Sequence, residues 1–191
     1  MLFVHLFADA TFCFLNSAAH YLERSGQQQR SCTLKFTSST TPQLLDIIHE
    51  LVTAAGVREK FEADPEFHLK LKQEAYMPLV IEARPAGNSF LGEKRHVSIA
   101  HYYEQNGDFV ADPIILMTDM GYPIYMEQVL GGLIQVLSKD PKLGVLVNTR
   151  AKRSVEELMD VWAENIRQQD WLEVAREYME RRASDTKGAA L

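Results

Sequence analysis

Apolar residues recur first at helical spacing, then at alternate positions, then at helical spacing again, and that order predicts an α+β domain. Leu44, Ile47, Ile48, Leu51 and Ala55 form the first helical stripe. Thr41 is placed to cap it, Pro42 suits its first turn, and Gly56 supplies the stop. The period then drops to two. Phe67, Leu69 and Leu71 alternate with His68, Lys70 and Lys72 as in a half-buried strand. Further strands are predicted over Met77–Ala83, Arg95–Gln105, Asp108–Thr118 and Tyr122–Glu127. Residues 129–147 are broken by Gly131-Gly132 and Asp140-Pro141, and fit either a short helix or more β structure. Helical spacing returns where Ser154 and Glu157 form a capping box. Leu158, Trp162 and Ile166 carry the stripe, and Trp171, Leu172, Ala175, Tyr178 and Met179 continue it after a bend near Asp170. The expected fold is an antiparallel meander of about five strands, with a leading helix and C-terminal helices packed on one face.

Domain organisation follows from the same pattern. Residues 41–182 read as a single α+β domain, and 183–191 as a disordered tail. Residues 1–40 read as an N-terminal extension, peripheral or disordered, because Ser25–Ser31 and the run Ser38–Thr41 have linker composition. The competing reading is a helix over 11–24 packed on the domain, which the apolar pattern there also supports.

The dipeptide Asn106-Gly107 is the strongest local signal, since both positions suit the positive φ of a type I′ hairpin. Counting outward pairs Gln105 with Asp108, Tyr103 with Val110, His101 with Asp112, Ile99 with Ile114 and Val97 with Leu116. These residues share one sheet face, while Ser98, Ala100, Tyr102 and Glu104 point to the other. Pro113 falls opposite Ala100 in this register.

The expected His101–Asp112 contact is the candidate for chemistry. Asp112 would orient His101 as a general base, or the two would form a satisfied polar pair that fixes hairpin register. The second reading is the more economical. Glu104 lies on the opposite face from His101, so the pair His101/Glu104 is not a metal site. Glu104, Asn106 and Asp108 cluster near the turn, but the calcium-loop pattern is missing and no metal or other cofactor is expected. With Tyr102 they form a candidate binding surface.

Bulk properties then narrow the class. The net charge of −6 argues against a general nucleic-acid coat, and the cluster Arg150, Lys152 and Arg153 reads as a solvated loop where a helix starts, the alternative being a local contact for an anion. The cysteines Cys13 and Cys32 lack metal-ligand spacing and suit a reducing compartment. The apolar start has no Lys or Arg before it and is interrupted by Asp9, unlike a signal peptide. No segment has the pattern of a membrane span, so a cytoplasmic location is expected.

The run His101-Tyr102-Tyr103-Glu104-Gln105-Asn106-Gly107-Asp108, followed by Asp112-Pro113, resembles an uncharacterised bacterial family. That family is a domain of unknown function carried by plasmids, integrative conjugative elements and prophages. Its signature is similar to V-A-H-Y-x-E-Q-N-G-D, then D-P-E. The resemblance runs through Tyr122–Tyr125 and Val161–Gln169, over roughly residues 41–172. Ile114 replaces the acidic residue after Asp-Pro, and Phe109-Val110-Ala111 replaces a Leu-Met-Arg. The resemblance implies an accessory role on a mobile element and names no reaction.

Together these observations predict a non-catalytic module that binds a protein through the outer face of the hairpin or an exposed strand edge. The alternative is a small hydrolase or nuclease-like enzyme using His101 with Asp112. A homodimer through the C-terminal helix is a third reading.

Overall fold

The computed structural model describes residues 43–87 and 89–188. The expectations for residues 1–40, and the Thr41/Pro42 start of the first helix, lie outside the described residues. Helix α1, Gln43–Ala54, buries Leu44, Leu45, Ile47, Ile48, Leu51 and Val52. Gly56 follows at φ +64, and a Cβ there would lie 3.0 Å from Met179, so both the turn and the close approach favour glycine.

A second short helix, α2 (Arg58–Ala63), was not legible in the sequence pattern. Its one buried side chain, Phe61, meets His49 and Phe67 edge to face at 5.7 and 5.1 Å. The Arg95 guanidinium lies over the Phe61 ring at 4.7 Å and donates to the Phe61 carbonyl. Tertiary contacts therefore hold a helix too short to persist alone.

Six strands then form one antiparallel sheet in sequence order: β1 (Phe67–Gln73), β2 (Tyr76–Pro85), β3 (Arg95–Gln105), β4 (Asp108–Thr118), β5 (Pro123–Gln128) and β6 (Gly132–Gln135). Leu69, Ile81, Ile99, Ile115, Met126 and Ile134 stand side by side across it. That row belongs to, or packs against, the hydrophobic core. The neighbouring row, Lys70, Val80, Ala100, Ile114, Glu127 and Leu133, points to the opposite face because strand side chains alternate.

Past β6 the chain changes partner. The Val136 amide donates to Ile124 of β5, while its carbonyl accepts from Asn148. A two-stranded sheet follows, β7 (Leu137–Asp140) with β8 (Gly144–Val147), so the ambiguous segment consists of short strands joined by turns rather than a helix.

Two helices complete the core. Helix α3 spans Thr149–Gln168 and buries Val155, Met159, Trp162, Ala163 and Ile166 along one stripe. Its cap is Asn148, whose Oδ1 accepts from the Ala151 amide at 3.0 Å. The expected Ser154 cap is corrected: the cap lies six residues earlier, at Asn148, and Ser154 lies inside the helix. The bend falls where predicted, at Asp170 with φ 59. Helix α4, Trp171–Gly188, continues past Arg182 into the region expected to be a tail. The fold is α+β, a six-stranded antiparallel meander with helices before and after it.

Candidate functional site

The central hairpin closes as its turn residues dictate. Asn106 and Gly107 take φ 56 and 89, and Gln105 pairs with Asp108, Glu104 with Phe109 and Tyr103 with Val110. Beyond Tyr102–Ala111 the register slips, so that Ala100 pairs with Ile114, Ile99 with Ile115 and Val97 with Met117. Two residues, Asp112 and Pro113, thus stand opposite the single His101. The sequence count had set His101 squarely against Asp112, Ala100 against Pro113, Ile99 against Ile114 and Val97 against Leu116; the bulge displaces all four. A proline breaks the ladder of amides that a regular strand would continue, and a bulge accommodates it.

The bulge separates the two candidate residues. His101 points into the core, 9% exposed, between Trp162 and Trp171 at ring-centre distances of 5.6 Å each. Its Nδ1 lies 3.0 Å from the Met77 carbonyl. A carbonyl only accepts, so Nδ1 carries the proton and donates. Burial holds this imidazole below its ordinary pKa, outweighing the backbone contacts at Met77 and Pro78. Asp112 instead accepts the Val129 amide at 3.3 Å, at the β5–β6 tip. The hydrogen-bonded His101–Asp112 pair is therefore corrected to two separate contacts, one in the core and one at the surface.

The other candidates occupy the outer face and the turn. Tyr102 lies half-buried on that face; burial, then the nearby Glu82 carboxylate, raises its phenol pKa, and Tyr125 adds to this. Glu104, Asn106 and Asp108 are exposed around the turn. Among the described residues, no group of three or more His, Cys, Asp or Glu side chains is arranged to hold a metal ion.

Hollows lie elsewhere. One of about 450 Å³ is lined by residues of α1, α2 and α4, including His49, Arg58 and Arg176. Another of about 290 Å³ lies beside His68, Glu82 and Arg84 on β1 and β2. Neither borders His101.

Two features escaped the sequence reading. The first is Glu93 in the β2–β3 connection, whose side chain is only 1% exposed. It accepts from the amides of Phe90 and Leu91 at 2.8 and 2.7 Å, from Ser89 Oγ at 3.1 Å and from His96 Nε2 at 2.9 Å. Burial opposes its charge, but these donors prevail and bring the carboxyl down to about 2. The short run Ser89-Phe90-Leu91-Gly92-Glu93 was the available signal, since Ser and Gly mark a turn whose amides need an acceptor.

The second is the sheet edge at β6. Because Val136 N–H points at β5, the amides of Leu133 and Gln135 point outward by alternation. Gly132, Leu133 and Gln135 are exposed. Beside them, Val129 and Leu130 at the tip are 49% and 74% exposed. The opposite edge, β1, carries His68, Lys70 and Lys72, the usual protection of an open strand.

A family model described as a domain of unknown function, DUF6908, matches residues 46–172. The chain belongs to this family. The DUF6908 match begins within α1 and ends at the start of α4, so it takes in the whole six-stranded sheet, the Asp112-Pro113 bulge and the β6 edge. No curated protein and no solved structure matches the chain. Among the described residues, no helix is long and apolar enough to cross a membrane.

Proposed function

We propose that this DUF6908 protein is a non-catalytic interaction module that accepts a strand from a partner protein at the β6 edge. The observation that carries the reading is the pair of outward-facing backbone positions at Leu133 and Gln135, in a strand without a charged residue. Added strands gain affinity from main-chain hydrogen bonds and specificity from neighbouring side chains. Here Val129 and Leu130 supply the apolar contact. The filled surroundings of His101 support binding over catalysis, since its ring is enclosed by Trp162 and Trp171 and bonded to a main-chain carbonyl. The net charge of −6 suits a protein partner, or mimicry of nucleic acid, better than contact with phosphates. An accessory role in a bacterium carrying a mobile element rests on the resemblance of the hairpin residues to the signature of such proteins, and a cytoplasmic location rests on Cys13 and Cys32, which suit a reducing compartment.

The test is affinity capture from the native host with the wild-type chain and with Leu133→Pro. Proline at an outward edge position removes an amide that β5 does not use, so the fold survives while an added strand loses a bond and meets the ring. The proposal expects a captured protein that Leu133→Pro and Leu130→Glu both lose. A partner retained equally by both variants contradicts it.

A further inference from the structure

The turn between α1 and α2 brings cationic side chains together on the helical side of the molecule. Gly56, at φ +64, turns the chain so that Arg58 stands beside the end of α1, and Met179 of α4 closes on the same turn. Between the three helices lies the hollow of about 450 Å³, within the roughly 300–1,000 Å³ of small-molecule sites. Ala54 and Leu172 form the apolar part of its wall, while His49, Arg58 and Arg176 form the basic part. The one carboxylate in that wall among the described residues, Glu50, is held by Arg167 at 3.2 Å. The carboxylates that hold the two arginines, Glu62 and Glu173, do not line the hollow. Arg58 uses Nε on Glu62 at 2.9 Å, and Arg176 uses Nη1 on Glu173 at 2.6 Å. Among the described residues, both terminal nitrogens of Arg58 and the Nε and Nη2 of Arg176 have no hydrogen-bond partner. His49 adds a further donor. Its Nδ1 is enclosed and unpaired, and a proton there would meet no acceptor, so the neutral ring keeps its proton on Nε2. Burial, then the Arg58 charge, holds this ring below its ordinary pKa, and Arg58 outweighs Glu62 there.

We propose that this hollow binds a small organic dianion, a dicarboxylate or a phosphate monoester, through Arg58, Arg176 and His49, with its carbon part against Ala54 and Leu172. A guanidinium presents its N–H groups as a planar fork that matches the oxygens of a carboxylate or phosphate. Two such forks with open donors call for two negative charges, and a monoanion leaves one of them unmatched. The net charge of −6 repels anions at long range, so recognition depends on these contacts at close quarters. Both arginine side chains are more than half exposed, which weakens each contact and sets the dissociation constant at about 1 mM. Arg176 lies past residue 172, where the family match ends, so the complete wall needs more of the chain than the matched domain. The inference is independent of strand addition at β6, because every residue of the wall belongs to a helix.

Amide NMR on the isotope-labelled full chain reads the site residue by residue. Succinate, phenyl phosphate and acetate are each titrated to about 20 mM at constant ionic strength, so that screening does not change. At least one of the two dianions is expected to saturate, to shift the amides of Thr53, Ala54, Arg58 and Leu172, and to raise the melting temperature. The tighter of the two identifies the head group, and acetate is expected to bind at least tenfold more weakly than it. Arg58→Gln and Arg176→Gln, each shown to be folded by circular dichroism, are each expected to weaken binding at least tenfold. Arg153→Gln removes an arginine paired in the same way with Glu157 but outside the hollow, and is expected to leave binding unchanged. Failure of both dianions to saturate overturns the inference. So does binding that survives both hollow variants, or that Arg153→Gln weakens equally, since either outcome marks a general attraction of charges rather than a site.

Discussion

His101 donates to the Met77 carbonyl at 3.0 Å, while Asp112, across the hairpin, accepts from the Val129 amide at 3.3 Å. The two residues that a regular hairpin would join act in different parts of the molecule. One ties β3 to β2 inside the core, and the other ties the bulge to the β5–β6 tip.

A double-mutant cycle measures that separation. His101→Ala leaves a gap between Trp162 and Trp171 and a lost partner at Met77, and is expected to cost about 3 kcal/mol. Asp112→Ala removes one long, exposed hydrogen bond and is expected to cost under about 1 kcal/mol. The coupling between them, from urea denaturation of the four proteins, is expected to stay below about 0.5 kcal/mol. A coupling of several times that size would show the pair to be interacting.

Glu93 ties acid stability to the β2–β3 connection. Its folded carboxyl lies at about 2 against an ordinary value of 4.5, so its contribution is complete above pH 4.5 and is lost as the pH falls towards 2. Glu93→Gln places an amide that can donate where the Phe90 and Leu91 amides already donate, and is expected to cost about 2 kcal/mol near neutrality. Melting temperature followed from pH 6 to pH 2.5 is expected to fall more steeply for wild type than for Glu93→Gln. Parallel curves would contradict the assignment.

The start of α3 gives a paired test. Asn148→Ala removes the side chain that accepts from Ala151 and is expected to cost about 1 kcal/mol. Ser154→Ala, inside the helix, is expected to change stability by less than about 0.5 kcal/mol. Thermal melts of both variants check the order, and a reversed order would restore Ser154 as the cap.

The fold was legible wherever one residue type sets one local geometry. Asn106-Gly107 fixed the turn, the alternation of Phe67, Leu69 and Leu71 gave the edge strand, and Asp170 marked the break between α3 and α4. The failures have physical causes. Pro113 was read as fitting a regular ladder when it sits in a bulge, and that single extra residue shifted every pairing beyond it. Helix α2 depends on Phe61 meeting His49 and Phe67, contacts distant in sequence or reached only on folding. The β6 edge was hidden because its openness depends on which strand is last in the sheet, and Gly131-Gly132 gave equal support to a helix break. Glu93 escaped notice because its value comes from three neighbouring residues and a histidine that turn towards it.

The most direct measurement of the binding role is amide hydrogen exchange, residue by residue, on the free chain and on its complex with the captured partner. Strand addition at β6 predicts new protection at Leu133 and Gln135, whose amides face away from β5, with little change at Ile134, which already faces it. Protection elsewhere, with Leu133 and Gln135 exchanging as fast as before, would contradict it.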